Sequence, residues 1–102
     1  PEYTRAERSP TFKGNGSVTV ADPFYQDQLG KGFPDWKLAV TGLVDNPLTL
    51  TLADLRALPQ RTQITRHDCV EGWSAIGEWQ GPQLAALLDA AKIRKGANFI
   101  VF

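Results

Sequence analysis

One cysteine, one histidine, no net charge and no long apolar run mark this chain by what it lacks. With Cys69 as the only thiol there is no internal disulfide, which excludes a stapled secreted scaffold. No Cys-x-x-Cys-His is present, so the chain holds no covalent c-type haem. A zinc site wants three or four ligands, and beyond His67 and Cys69 only carboxylates remain. Lysine plus arginine and aspartate plus glutamate number 11 each, with the basic residues scattered, so no electrostatic footprint for nucleic acid or an anionic membrane is visible. No apolar run approaches the ~20 residues of a membrane span. The start, Pro1-Glu2-Tyr3-Thr4-Arg5, has charges but no apolar stretch behind them and so does not read as a signal peptide; the expectation is that any export signal is already removed.

What is present is an ordinary globular composition: 102 residues, 42% hydrophobic and 22% charged, enough for one domain with a modest core. Residues 1–35 read as an extended arm, broken by Ser9-Pro10, Gly14-Asn15-Gly16, Asp22-Pro23 and Gly30-Lys31-Gly32, with a brief strand at Ser17-Val18-Thr19-Val20 and no helical period. From Trp36 the patterning sharpens. Trp36, Leu38 and Val40 alternate with polar neighbours, predicting a half-buried strand over 36–44, and Leu48-Thr49-Leu50 predicts a second after the Asp45-Asn46-Pro47 turn. Thr51 reads as an N-cap answered by Asp54, opening a short helix that Pro59 stops.

Residues 60–70 are rich in β-formers and predict a strand. Gln80-Gly81-Pro82 then predicts the start of a helix whose apolar stripe is Leu84, Leu87, Leu88 and Ala91, with Lys92, Arg94 and Lys95 at its negative end. After Gly96, Asn98 and the apolar run Phe99-Ile100-Val101-Phe102 predict a strand suited to the middle of a sheet. An apolar strand there implies that these residues are the first part of a longer domain, or that another segment covers them.

The chemistry concentrates in Arg66-His67-Asp68-Cys69-Val70-Glu71-Gly72-Trp73-Ser74. If the strand persists through Glu71, its period puts Thr65, His67, Cys69 and Glu71 on one face, and Ile64, Arg66, Asp68 and Val70 on the other. A thiol so placed is a nucleophile activated by His67, a metal ligand, or an inert buried residue, and the residue types alone leave all three open.

The order Arg66-x-x-Cys69-Val70-Glu71-Gly72-Trp73-Ser74, followed by Trp79-x-Gly81 and the Leu84-Leu87-Leu88 stripe, resembles the molybdopterin-dependent oxidoreductases of the sulfite oxidase superfamily. The bacterial branch that includes methionine-sulfoxide reductase catalytic subunits is the most similar. Trp36-Lys37-Leu38-x-Val40-x-Gly42, Pro47-Leu48-Thr49-Leu50, Asp54-Leu55 and Leu58-Pro59 extend the resemblance upstream to about Asp35.

The resemblance implies an α+β fold, a mixed β-sheet with short helices, of which residues 36–102 form the N-terminal part of the molybdopterin-binding domain. It implies that Cys69 is the protein's sole ligand to the molybdenum of a molybdenum-molybdopterin cofactor. His67 and Arg66 become donors toward the pterin or the oxo ligands, and Asn15 the arm's contribution to cofactor binding. Glu71 becomes a proton-transfer group beside the metal, with local backbone bonding or a pair with Arg66 as the alternative. Trp73 and Trp79 read first as core. Sulfite oxidases proper carry Ala-Gly-Asn-Arg-Arg after the cysteine; the carboxylate of Glu71 here repels an anion and favours a neutral sulfoxide.

The expectation is therefore a two-electron oxo transferase with a small or sulfoxide-type substrate. Its electrons come from a separate partner, a cytochrome or a membrane haem or quinone protein, and by resemblance it is periplasmic. The rivals are a cofactor-free structural or interaction module with a buried Cys69, a small Cys–His thiol enzyme, and a sulfite dehydrogenase.

Overall fold

Two antiparallel hairpins and three short helices account for most of the ordered backbone in the computed structural model, which describes residues 2–14 and 22–102. The strand expected at Ser17-Val18-Thr19-Val20, and Asn15, lie outside the described residues. Short helices and small sheets match the expected content. A single mixed sheet does not form: among the described residues both ladders are antiparallel and each has only two strands.

Strand β1, Lys37–Val40, pairs with β2, Leu48–Thr51. Leu38 faces Leu50 and Val40 faces Leu48, so these four half-buried apolar side chains share one face, as period-2 alternation requires. β1 is shorter than the predicted 36–44 because Gly42, at φ +101, turns the chain. Helix α2, Leu52–Ala57, begins where expected: Thr51 Oγ1 accepts from the Asp54 N–H at 3.1 Å, and Asp54 accepts from the Thr51 N–H at 2.9 Å.

The sequence pattern missed helix α1, Pro23–Lys31, inside the supposed extended arm. Asp22-Pro23 signals a break, but it is also the ideal helix start. Asp22 accepts from the Tyr25 N–H at 3.0 Å, and Pro23 loses nothing in the first turn, where its missing N–H has no partner anyway.

Helix α3, Leu84–Ala91, buries Leu87 and Ala91 from the predicted stripe. It starts after Pro82, not before it, because residues 80–82 still belong to a strand. Its last carbonyls are satisfied by the loop after β1. Asn46 donates its backbone N–H to Ala91 O at 2.9 Å and its side-chain Nδ2 to Ala90 O at 3.0 Å, while Asp45 donates to Lys92 O at 2.9 Å.

Strands β3, Gln60–Asp68, and β4, Ser74–Pro82, make the longest ladder, in register from Gln60 opposite Pro82 to Asp68 opposite Ser74. The N-terminal segment clasps this hairpin. Tyr3 donates to Ile64 O on one edge and Ser9 to Ile76 O on the other, both at 2.9 Å, while Arg5 and Arg8 pair with Glu78 at 2.9 and 2.6 Å. Phe12 then packs edge-on against Trp79, with ring centroids 5.7 Å apart. Gly77 makes room for it: a Cβ there would sit 2.5 Å from the Phe12 ring.

The core is sparse. Among the described residues the buried apolar side chains are Val44, Ile64, Ala75, Leu87 and Ala91. The radius of gyration is 16.9 Å, against about 13 Å for a compact domain of this length. The run Phe99-Ile100-Val101-Phe102, expected as a central strand, joins no ladder among the described residues, and Phe99 and Val101 are more than 90% exposed. An apolar segment becomes a strand only beside a partner strand, and neither hairpin reaches it.

Candidate functional site

The tip of the β3–β4 hairpin presents Cys69. The ladder stops at Asp68 opposite Ser74, one residue before the cysteine, instead of running on to Glu71. Cys69 N–H donates to Trp73 O at 2.8 Å, and Gly72 N–H donates to Cys69 O at 2.9 Å. With Gly72 at φ +89, this is the bonding pattern of a three-residue hairpin loop closed by a glycine bulge. Val70-Glu71-Gly72 therefore specifies the turn locally, and glycine is required at its last position.

The turn folds Glu71 back over the sulfur. Its backbone N–H points at Cys69 Sγ at 3.4 Å, and its carboxylate accepts from Trp73 Nε1 at 3.4 Å. Glu71 thus engages Cys69 and Trp73 within the turn. The half-buried sulfur has an amide aimed at it, a contact that suits a metal-bound sulfur. Among the described residues no three of His, Cys, Asp or Glu cluster as a metal-ligand set. A lone soft thiolate fits a group that brings most of its own ligands, as a dithiolene-bound molybdenum does.

His67 and Arg66 part company. On the face of β3 that carries Thr65 and His67, Thr65 Oγ1 and His67 Nε2 lie 3.0 Å apart, and the imidazole meets Trp79 edge-on at 5.0 Å. Arg66 lies on the opposite face. Its Nε donates to Asp68 Oδ1 at 2.8 Å and its Nη2 to Ser74 Oγ at 3.3 Å, while the Ser74 hydroxyl donates to the same Asp68 oxygen at 2.6 Å. The Ser74 hydroxyl, and after it the Arg66 guanidinium, hold the Asp68 carboxyl below its ordinary range. Asn15 lies outside the described residues.

Asp68 and Ser74 were not singled out from the sequence. The signal that would have found them is a pair of polar residues flanking a hairpin turn, which requires knowing that the turn closes at Gly72. A cleft of about 460 Å³ opens at the other end of the ladder, lined by Arg61, Gln63, Trp79 and Leu84 among others. Cys69 takes no part in it.

Residues 27–102 match the family described as the oxidoreductase molybdopterin-binding domain. The chain belongs to this family. Among its relatives is the protein-methionine-sulfoxide reductase catalytic subunit MsrP of Campylobacter jejuni, 37% identical over 68 residues, covering 67% of this chain and 23% of that protein. The MsrP of Ralstonia nicotianae is 33% identical across the whole of this chain, which matches 33% of that protein. A protein of Azospira oryzae, provisionally named as subunit YedZ1 of a protein-methionine-sulfoxide reductase, is 45% identical over 67 residues, covering 66% of this chain and 26% of its own length. The chain thus spans between about a quarter and a third of these relatives. No solved structure matches it.

Proposed function

We propose that this chain carries the cysteine-bearing part of a molybdenum-cofactor oxidoreductase of sulfite-oxidase-like fold, with the Cys69 thiolate as the protein's ligand to the metal and sulfoxides as the substrate class. The half-buried sulfur held at a bulged hairpin tip under the Glu71 amide carries this reading. When bound, the molybdenum-molybdopterin cofactor would supply two-electron oxo chemistry. The overall reaction turns a sulfoxide, two protons and two electrons into a thioether and water. The electrons enter from a separate electron-transfer partner, a cytochrome or a membrane haem or quinone protein.

The chain's own residues have distinct tasks. The Glu71 amide stabilises negative charge on Cys69 Sγ. The Glu71 carboxylate, held by the Trp73 indole, is the group placed to hold or pass a proton beside the sulfur. Its charge also disfavours anionic sulfite, which sets a sulfite dehydrogenase behind a sulfoxide reductase. His67, whose ring meets Trp79, is the proposed donor toward the cofactor from β3, and Asn15 the arm's candidate donor. A periplasmic location completes the proposal and rests on resemblance.

Metal analysis of the full-length protein, expressed with the cofactor supplied, tests it. About one molybdenum per chain is expected, and Cys69→Ala should abolish sulfoxide reduction while costing only around 1 kcal/mol of stability. No molybdenum under those conditions sinks the reading in favour of a cofactor-free module. Rapid labelling of Cys69 by a thiol reagent in the loaded protein would point to a thiol enzyme instead.

A further inference from the structure

We infer that Arg66, Asp68 and Ser74 form a clip across the mouth of the hairpin that sets the direction of the Cys69 sulfur, making them positioning residues and not cofactor donors. This rests on the reading of Cys69 as the metal ligand. Asp68 and Ser74 are the last pair of the ladder, so whatever fixes their separation fixes the two ends of the loop. The Ser74 hydroxyl and Arg66 Nε converge on one oxygen, Asp68 Oδ1, at 2.6 and 2.8 Å, and Arg66 Nη2 closes the triangle on Ser74 Oγ at 3.3 Å. Two charge-assisted bonds to one carboxylate oxygen are short and directional. Cys69 is the next residue along the chain.

The clip does not hold up the core. The side chains of Arg66 and Asp68 are 54% and 68% exposed, and the buried Ile64 and Ala75 lie further down the ladder. All three clip residues sit on the face opposite His67 and Trp79, so Arg66 is committed across the strands, away from the side where His67 stands. A functional ligand must be held within roughly 0.5 Å and 10–20° by groups around it. Beyond the ladder's end the loop is held by the Cys69–Trp73 and Cys69–Gly72 backbone bonds and by the longer contacts of the Glu71 amide with Cys69 Sγ and of the Trp73 indole with the Glu71 carboxylate. The clip makes that end rigid.

The test uses the full-length protein loaded with cofactor, comparing Ser74→Ala, Asp68→Asn and Ser74→Thr with wild type. The readouts are molybdenum content, Tm and the g-values of the paramagnetic molybdenum signal, which respond to the direction of the metal–sulfur bond. Ser74→Ala and Asp68→Asn are expected to keep Tm within about 4 °C of wild type and to shift the g-values or release the metal. Ser74→Thr, which keeps the hydroxyl, should restore the wild-type signal. Wild-type molybdenum content and g-values in both Ser74→Ala and Asp68→Asn overturn the clip. Cys69→Ser separates this from the ligand reading: an unchanged signal there defeats the ligand assignment, whereas a changed signal beside normal Ser74→Ala and Asp68→Asn variants defeats the clip alone.

Discussion

Strand β3 and the C-terminal run make an instructive pair. β3 reads Gln-Arg-Thr-Gln-Ile-Thr-Arg-His-Asp, almost wholly polar, yet it pairs along its full length. Phe99-Ile100-Val101-Phe102 is wholly apolar, yet it pairs with nothing among the described residues. The difference lies in what is close in sequence. β3 is followed by the three-residue loop Val70-Glu71-Gly72, closed between Cys69 and Trp73, that returns the chain antiparallel, and the N-terminal segment bonds to both outer edges of the hairpin. Among the described residues no strand lies beside the run at 99–102. Polarity decides which face is buried; a neighbouring strand decides whether there is a strand at all.

The sharpest way to break the comparison is at Ile64, the single buried residue of β3. If the hairpin is held by backbone pairing plus one apolar anchor, Ile64→Ala should cost about 2–4 kcal/mol, the usual toll for truncating a buried isoleucine. Urea denaturation monitored by tryptophan fluorescence would show it as a lowered midpoint. A loss under about 0.5 kcal/mol would mean that the clasp by Tyr3 and Ser9, and not the core, carries the hairpin.

The turn comes next. Gly72 stands at φ +89, and a Cβ added there would meet nothing within 4 Å, so steric crowding is not the issue and backbone strain is. Gly72→Val should cost about 1–3 kcal/mol through that strain. It should also raise amide hydrogen exchange at Cys69 and Gly72, whose N–H groups bond across the turn, more than at Thr62 in the middle of the ladder. Equal protection in wild type and Gly72→Val would show that the loop tolerates another geometry.

Much of this was legible because it is local. Thr51 and Asp54 are three residues apart and cap α2 as written, and the Leu87 and Ala91 positions of the α3 stripe are buried as its period demands. Alternation along β3 correctly set Arg66 and Asp68 on the face away from His67. What the sequence concealed depends on register and distance. Pro82 looked like a helix start, but its lack of an N–H is equally harmless at a strand end, where it sits opposite Gln60. Asp22-Pro23 carried the converse ambiguity and hid α1. The clip needs Asp68 opposite Ser74, a relation that exists only once the turn closes at Gly72.

The smallest effect belongs to the other half of the comparison. Val101 is 93% exposed and bonds to no strand, so replacing it removes no buried area and no packing. Val101→Lys should therefore leave the stability of the described chain within about 0.5 kcal/mol of wild type. It should also reduce self-association, because a lysine interrupts four consecutive exposed apolar residues. The same substitution in the full-length protein is the discriminating measurement. A cost of several kcal/mol there would mean that the run is covered as the interior of a sheet. An unchanged midpoint would leave it a surface segment and end its reading as a central strand.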